Sequence, residues 1–358
     1  MDNPEIDLAK SDAFADRMID MLNNGALALM TSIGHRSGLF DTLKDMNPAT
    51  SDEIAKAAEL NERYVREWLG AMVTGGIIEC NPEGPRYFLP REHSKWLTRE
   101  ASPNNIAVFA QYISQLGNVE DQILSCFKHG GGVPYSEYRR FHEIMAEDSG
   151  QTVVAALMDS ILPLVPGLID QLNKGIEILD VGCGSGRALN LMAKNFPNSR
   201  FVGYDLSSQA LDTARMESEK EKLLNVYYEE KDLTDFDIPG RFDFITAFDA
   251  IHDQARPERV LGGIFKSLKS DGVFLMQDIA ASSQVYNNIG HPVGPLLYTI
   301  SCMHCMSVSL EQNGAGLGAM WGEEKAKEML SEAGFSNIQI KQLPHDFQNY
   351  FYIMKKTY

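Results

Sequence analysis

One stretch of the chain reads Glu177-Ile178-Leu179-Asp180-Val181-Gly182-Cys183-Gly184-Ser185-Gly186. An apolar run ends in an acid and then in glycines at alternate positions, Gly182, Gly184 and Gly186. Glycines let a chain turn sharply and let a ligand approach the backbone amides closely. A pyrophosphate-binding loop would read G-x-G-x-x-G and offer a helix N-terminus to the anion. The G-x-G-x-G spacing, with Asp180 directly ahead of it, suits positively charged ligand groups instead. Three more acids close the apolar runs that follow. Asp205, with Leu206 beside it, lies about 20 residues on, where a carboxylate can accept hydrogen bonds from both hydroxyls of a ribose. Asp232 and Leu233 offer an acceptor and an apolar wall to an adenine. Phe248 and Asp249 stand at the mouth where the ligand's reacting group would sit. Together they describe a site for a nucleoside that carries positive charge.

Parallel strands must position these residues. Segments 176–181, 200–204, 225–229, 242–248 and 273–277 are continuous apolar runs, as expected of strands covered on both faces. Helical patterns fall between them, for example 259–268, and the alternation predicts a doubly wound α/β sheet. All four acids then sit at carboxyl ends of strands, the crevice where such sheets bind ligands. Segments 338–343 and 350–355 read as a closing antiparallel pair.

Asp180 to Gly186, with Asp205, Asp232 and Asp249, resembles the motif series of class I S-adenosylmethionine-dependent methyltransferases. The order of parts is similar to bacterial methyltransferases with an N-terminal winged-helix domain and to the dimeric O-methyltransferases. The resemblance implies a Rossmann-like methyltransferase sheet with S-adenosylmethionine as cofactor. Gly182, Gly184 and Gly186 would line its methionine part, Asp205 would hold the ribose, and Asp232 with Leu233 the adenine. It also implies a homodimer. The acceptor stays open: thiol or hydroxyl, its proton to be removed.

Two histidines are candidates for that proton transfer. His252 follows the fourth parallel strand, near the transferred methyl group. His291 follows the fifth, in Ile289-Gly290-His291-Pro292. The run Cys302-Met303-His304-Cys305 lacks the spacing and the fourth ligand of a structural zinc site, so no metal is expected, and the segment reads as a buried helix lining an apolar pocket. Residues 280–322 form a long insertion before the last helix and are expected to act as a lid.

The first half reads as helical. Segment 11–22 shows one apolar face, with Phe14, Met18, Ile19, Met21 and Leu22, and 25–33 looks more fully buried and able to pair across a two-fold. Thr50 and Asn61 can cap two short helices, which a hairpin follows, a winged-helix pattern. Its second helix mixes Glu62, Arg63, Arg66 and Glu67, so it suits dimerisation or substrate capping better than DNA reading. Three regions result: 1–95 winged helix, 96–172 helical connecting layer, and 173–358 catalytic domain. The net charge of −17 argues against a nucleic-acid partner. The acidic Met1–Glu5 start resembles no signal peptide, and no apolar run reaches the roughly 18 residues that span a bilayer. The odd set Cys80, Cys126, Cys183, Cys302 and Cys305 predicts reduced thiols and a cytoplasmic setting. A ligand-responsive regulator and a methyltransferase-like protein without catalysis are the competing readings.

Overall fold

A computed structural model describes residues 6–357, and the acidic start at 1–5 lies outside them. The chain forms two compact units, residues 1–114 and 115–358. The helical layer expected at 96–172 is divided between them. Ala107 packs into the apolar cluster of Phe40, Trp68 and Leu69, whereas Leu157, Ile161 and Leu172 pack against Ile178 and Leu189.

In the first unit a single helix, Leu8–Ser37, replaces the two that the pattern predicts. Asp7 caps its start, and Gly38, at φ 76°, ends it with an N–H that reaches the Gly34 and His35 carbonyls. The expected burial of its apolar residues is not found: Phe14, Ile19 and Leu22 are 61, 58 and 69% exposed. Among the described residues nothing covers them. The winged helix forms as expected. Helix Ser51–Ala57 carries a capping box between Thr50 and Glu53, and helix Glu62–Thr74 is capped by Asn61. A hairpin of β1 (Glu79–Asn81) and β2 (Arg86–Phe88) completes it. Val65, Trp68, Leu69 and Met72 form the buried face of the second helix. On its other face Arg66 pairs with Glu62 at 2.7 Å and Arg63 with Glu67 at 2.5 Å, so these arginines neutralise their own helix.

The second unit is built on β3 (Glu177–Val181), β4 (Arg200–Asp205), β5 (Val226–Glu230), β6 (Phe242–Phe248), β7 (Leu268–Ile279), β8 (Ser336–Leu343) and β9 (Asp346–Lys355). The sheet order is β5-β4-β3-β6-β7-β9-β8, the first five parallel and β9 antiparallel to both neighbours. Alternate side chains divide between two cores, one on each face. Leu179, Ile245 and Phe274 pack with helices Pro257–Ser267 and Gly322–Glu332. Ile178, Phe244 and Leu275 pack with helices Arg187–Asn195 and Leu168–Lys174. Each such residue contributes about 1.5–3 kcal/mol by leaving water. This two-sided burial is why the strands read as unbroken apolar runs. The chain order reverses between β3 and β6, which opens a crevice at their carboxyl ends. Among the described residues no single helix is long and apolar enough to cross a membrane.

Candidate active site

A cavity of about 520 Å³ opens at that crevice. Of the residues singled out by sequence, Gly182, Gly184, Asp205, Leu206, Asp232, Leu233, Phe248 and Asp249 line it. Asp180, Gly186, His252 and His291 do not.

The glycine loop explains part of this division. Gly184 has φ 52°, and a Cβ built there would meet nothing within 4 Å, so the loop backbone lies open to a ligand. Gly186 also has a positive φ, 68°, but a Cβ there would lie 2.4 Å from the Tyr228 hydroxyl and 2.7 Å from Ala214. It lets the first helical turn pack on the sheet and supports the cradle from below. Asp205 ends β4 with both oxygens fixed: Gly184 N–H donates to Oδ2 and Ser207 N–H to Oδ1, each at 2.8 Å. Ser207 then caps the next helix and meets His142 Nε2 at 3.0 Å. Asp232 caps the short turn Leu233–Asp235. Asp249, at φ 50°, accepts from Gln277 through Oδ2, while its Oδ1 is shut off from solvent with no hydrogen-bond partner. Burial, reinforced by Asp278, holds its carboxyl well above the usual carboxylate range. An orphaned buried acceptor beside an open glycine cradle fits a cationic nucleoside.

Asp180 lies behind the loop, buried, and accepts from the Thr246 hydroxyl at 2.7 Å. Burial pushes its carboxyl up to about 7, against the lowering effect of Thr246. The native state therefore keeps a proton that the unfolded chain releases from about pH 4 upward, so this group makes the fold less stable as pH climbs to 7. Asp180→Asn should remove that loss. In ligand-free protein its melting temperature, relative to wild type, should rise between about pH 5 and pH 8. An offset that stays constant over this range would show that Asp180 does not titrate there.

His252 is buried beside the cavity. Its Nδ1 meets Asp278 Oδ1 at 2.8 Å, and its Nε2 lies 3.2 Å from Asp253 Oδ1. Asp278 also accepts from Trp321 Nε1 and from Ile279 N–H, both at 2.9 Å. Burial opposes a charge on the ring, but Asp278 and Asp253 outweigh it and hold the imidazole well above its ordinary pKa. Each ring nitrogen thus faces a carboxylate, and the ring itself does not line the cavity. Asp253 is the neighbour that lines the cavity. His291 braces its own loop, its Nε2 3.1 Å from the Ala280 carbonyl and its Nδ1 accepting from Val293 N–H.

The expected lid at 280–322 contributes only Val308 and Gln312 to the lining, and residues between Tyr135 and Met145 contribute more. Tyr135 stacks on His142 with ring centroids 4.8 Å apart, and Val133 N–H donates to the Ser307 hydroxyl at 2.8 Å. Tyr135 and His142 escaped the sequence reading because no local motif marks them.

Residues 25–99 match the family described as an Rv2258c-like winged HTH domain, and 172–334 match a methyltransferase domain. The mitochondrial ubiquinone biosynthesis O-methyltransferase of Candida albicans is 31% identical over 30% of this chain and 33% of its own length. The (S)-coclaurine N-methyltransferase of Papaver somniferum is 27% identical over 33% of each. The chain thus spans about a third of the length of these curated relatives. Two solved structures share its fold nearly throughout, at 16% identity. Mitomycin 7-O-methyltransferase has a TM-score of 0.68, covering 97% of this chain and 99% of that one. Human N-acetylserotonin methyltransferase in complex with S-adenosylmethionine has 0.67, covering both chains fully. The chain thus carries an Rv2258c-like winged HTH domain followed by a methyltransferase domain.

Proposed function

We propose that this chain transfers the methyl group of S-adenosylmethionine to a small acceptor through a thiol or hydroxyl. The observation that carries this reading is Asp205 fixed by the Gly184 and Ser207 amides at the end of β4, with the open Gly184 cradle beside it. In this reading Asp205 and Leu206 take the ribose, Asp232 and Leu233 the adenine, and Gly182 and Gly184 the methionine part. Asp180 and Gly186 support the loop from behind. Phe248 and Asp249 face the methyl group. S-adenosylmethionine, when bound, supplies a carbon already activated by a positive sulfur. The chain's task is to desolvate and align the acceptor. Tyr135, Phe141, Met145 and Val308 give the lining an apolar share suited to a small uncharged molecule. On the acceptor side the role falls to the group around His252 and Asp253, since His291 is engaged in its loop.

Micromolar affinity, about 8 kcal/mol, is expected for S-adenosylmethionine or its demethylated product. At a hundredfold excess over Kd such a ligand stabilises the fold by about 2.7 kcal/mol and raises the melting temperature. Thiol, phenol, amine and carboxylate acceptors, screened with S-adenosylhomocysteine formation as readout, should give turnover with a thiol or hydroxyl. A melting curve unmoved by either nucleoside would refute the reading.

The exposed apolar stripe of helix Leu8–Ser37 supports a homodimer, because a monomer rarely leaves so continuous a face in water. Light scattering should return twice the 39.9 kDa chain mass, and the monomer mass at micromolar protein would exclude this. The five cysteines are all unpaired, which suits a reducing cytoplasm, and the pairing of Arg63 and Arg66 with glutamates of their own helix supports a role other than nucleic-acid binding.

A further inference from the structure

Next to the cavity wall at Asp253 lies a buried cluster of a kind that binding and aligning substrates does not require. His252, Asp253 and Cys305 offer a ring nitrogen, a carboxylate oxygen and a sulfur, all within 4.8 Å of one another. His252 and Cys305 are each 4% exposed. Nitrogen, oxygen and sulfur together form a ligand set for zinc. Bonds of about 2.0–2.3 Å in a tetrahedron place ligand atoms about 3.3–3.8 Å apart. The Nε2 of His252 is already 3.2 Å from Asp253 Oδ1, so closing the set needs a shift of about an ångström at most.

The surroundings carry the features of a built site. Asp278 accepts the Nδ1–H of His252 and is itself held by Trp321 and Ile279, the arrangement in which a carboxylate orients a metal-bound imidazole. Asp253 Oδ1 is buried yet accepts no hydrogen bond, despite the imidazole beside it. Cys305 ends a π-helical turn, Ser301–Cys305, and this turn buries both His304 and Cys305. Such turns within a helix cluster at functional sites. His304 is wholly buried, neither ring nitrogen has a hydrogen-bond partner, and its Nδ1 is 4.0 Å from Asp253 Oδ2. Buried polar groups are normally satisfied, so this second unpartnered donor or acceptor pair at the same carboxylate points to a missing ligand.

We propose that His252, Asp253 and Cys305 bind one divalent transition-metal ion, zinc by the chemistry of its donors, with a coordination position left towards the cavity. Cys302-His304-Cys305 spacing conceals the site in the sequence, because two of the three ligands come from the loop after β6. The site selects an acceptor that can itself become a ligand, a thiol above all. The acceptor binds with loss of its proton to solvent. Its sulfur lone pair forms the new bond to the methyl carbon while the carbon–sulfur bond of the sulfonium breaks, and the electron pair leaves with a neutral thioether. The methylated product is also a neutral thioether, a weaker ligand that departs. This catalytic consequence rests on the methyl-transfer reading, whereas the metal site does not.

The test is a titration of full-length protein, stripped with chelator, with Co²⁺ followed by absorbance. Binding of one equivalent, with a thiolate-to-cobalt charge-transfer band, is expected. Cys305→Ser should abolish the band while the protein stays folded, and Asp278→Asn should weaken Co²⁺ binding by about 10- to 100-fold. Calorimetry of S-adenosylhomocysteine on the same stripped protein tests the methyl-transfer reading separately. Nucleoside binding without stoichiometric Co²⁺ would overturn the metal site alone, as would a band that survives Cys305→Ser. Stoichiometric Co²⁺ with its band but no nucleoside binding would uphold the site and sink the methyl-transfer reading.

Discussion

Asp205→Ala is expected to weaken S-adenosylhomocysteine binding by about two to four orders of magnitude. In the proposed complex the carboxylate accepts hydrogen bonds from both ribose hydroxyls, and each charge-assisted bond contributes about 1.5–3 kcal/mol net. Two such bonds give about 3–6 kcal/mol, and every 1.4 kcal/mol is tenfold in Kd. The substitution also frees the Gly184 and Ser207 amides, which the carboxylate fixes at 2.8 Å, so the glycine loop loses its anchor to β4. Asp205→Asn separates these contributions. Its carbonyl oxygen can keep one of the two amide contacts, so it should fall between Ala and wild type. Isothermal calorimetry reads both variants, and a Kd within threefold of wild type for Asp205→Ala would remove the residue from the site.

Asp278→Ala should cost about 3–5 kcal/mol of stability, the range found when one member of a buried ion pair is deleted. Three donors converge on its Oδ1, from His252, Trp321 and Ile279, and the side chain is fully buried. Deletion leaves an imidazole and an indole N–H without partners in a place water does not reach. The urea midpoint should fall by at least about 1 M. Trp321 fluorescence reports the same event locally, since its indole loses the contact. Asp278→Asn keeps an acceptor oxygen and should lose less. An unchanged midpoint in Asp278→Ala would mean that the cluster contributes nothing net to folding.

The sheet was legible in the sequence because its signals are local. Strands buried on both faces leave continuous apolar runs, and 242–248 matches β6 residue for residue. The loop after β3 is marked by glycines whose backbone angles no other residue adopts easily, and Asp205 follows at a spacing set by one helix and one strand. The caps at Thr50 and Asn61 are local for the same reason: their partners lie two or three residues away.

Tertiary structure decided the rest. The expected strand 273–277 extends to Leu268–Ile279 because β9 pairs with it as far as Ile279 and Phe242 of β6 pairs with Leu268, which no pattern within the segment encodes. The apolar stripe of Leu8–Ser37 carries the periodicity of a buried face, but periodicity says only that a face is apolar, not that the same chain covers it. His252 reads from sequence as a free imidazole at a strand end. Its chemistry is set by Asp278, 26 residues on, which in turn is held by Trp321, 43 residues beyond that. The cavity wall from Tyr135 to Met145 has no motif, because aromatic and methionine side chains at helical spacing look alike in a core and in a pocket. The sequence determined where the backbone turns and which acids end the strands, through short-range sterics and burial. Which side chains meet around the acceptor depends on contacts between segments far apart in the chain, and only the packed fold brings those together.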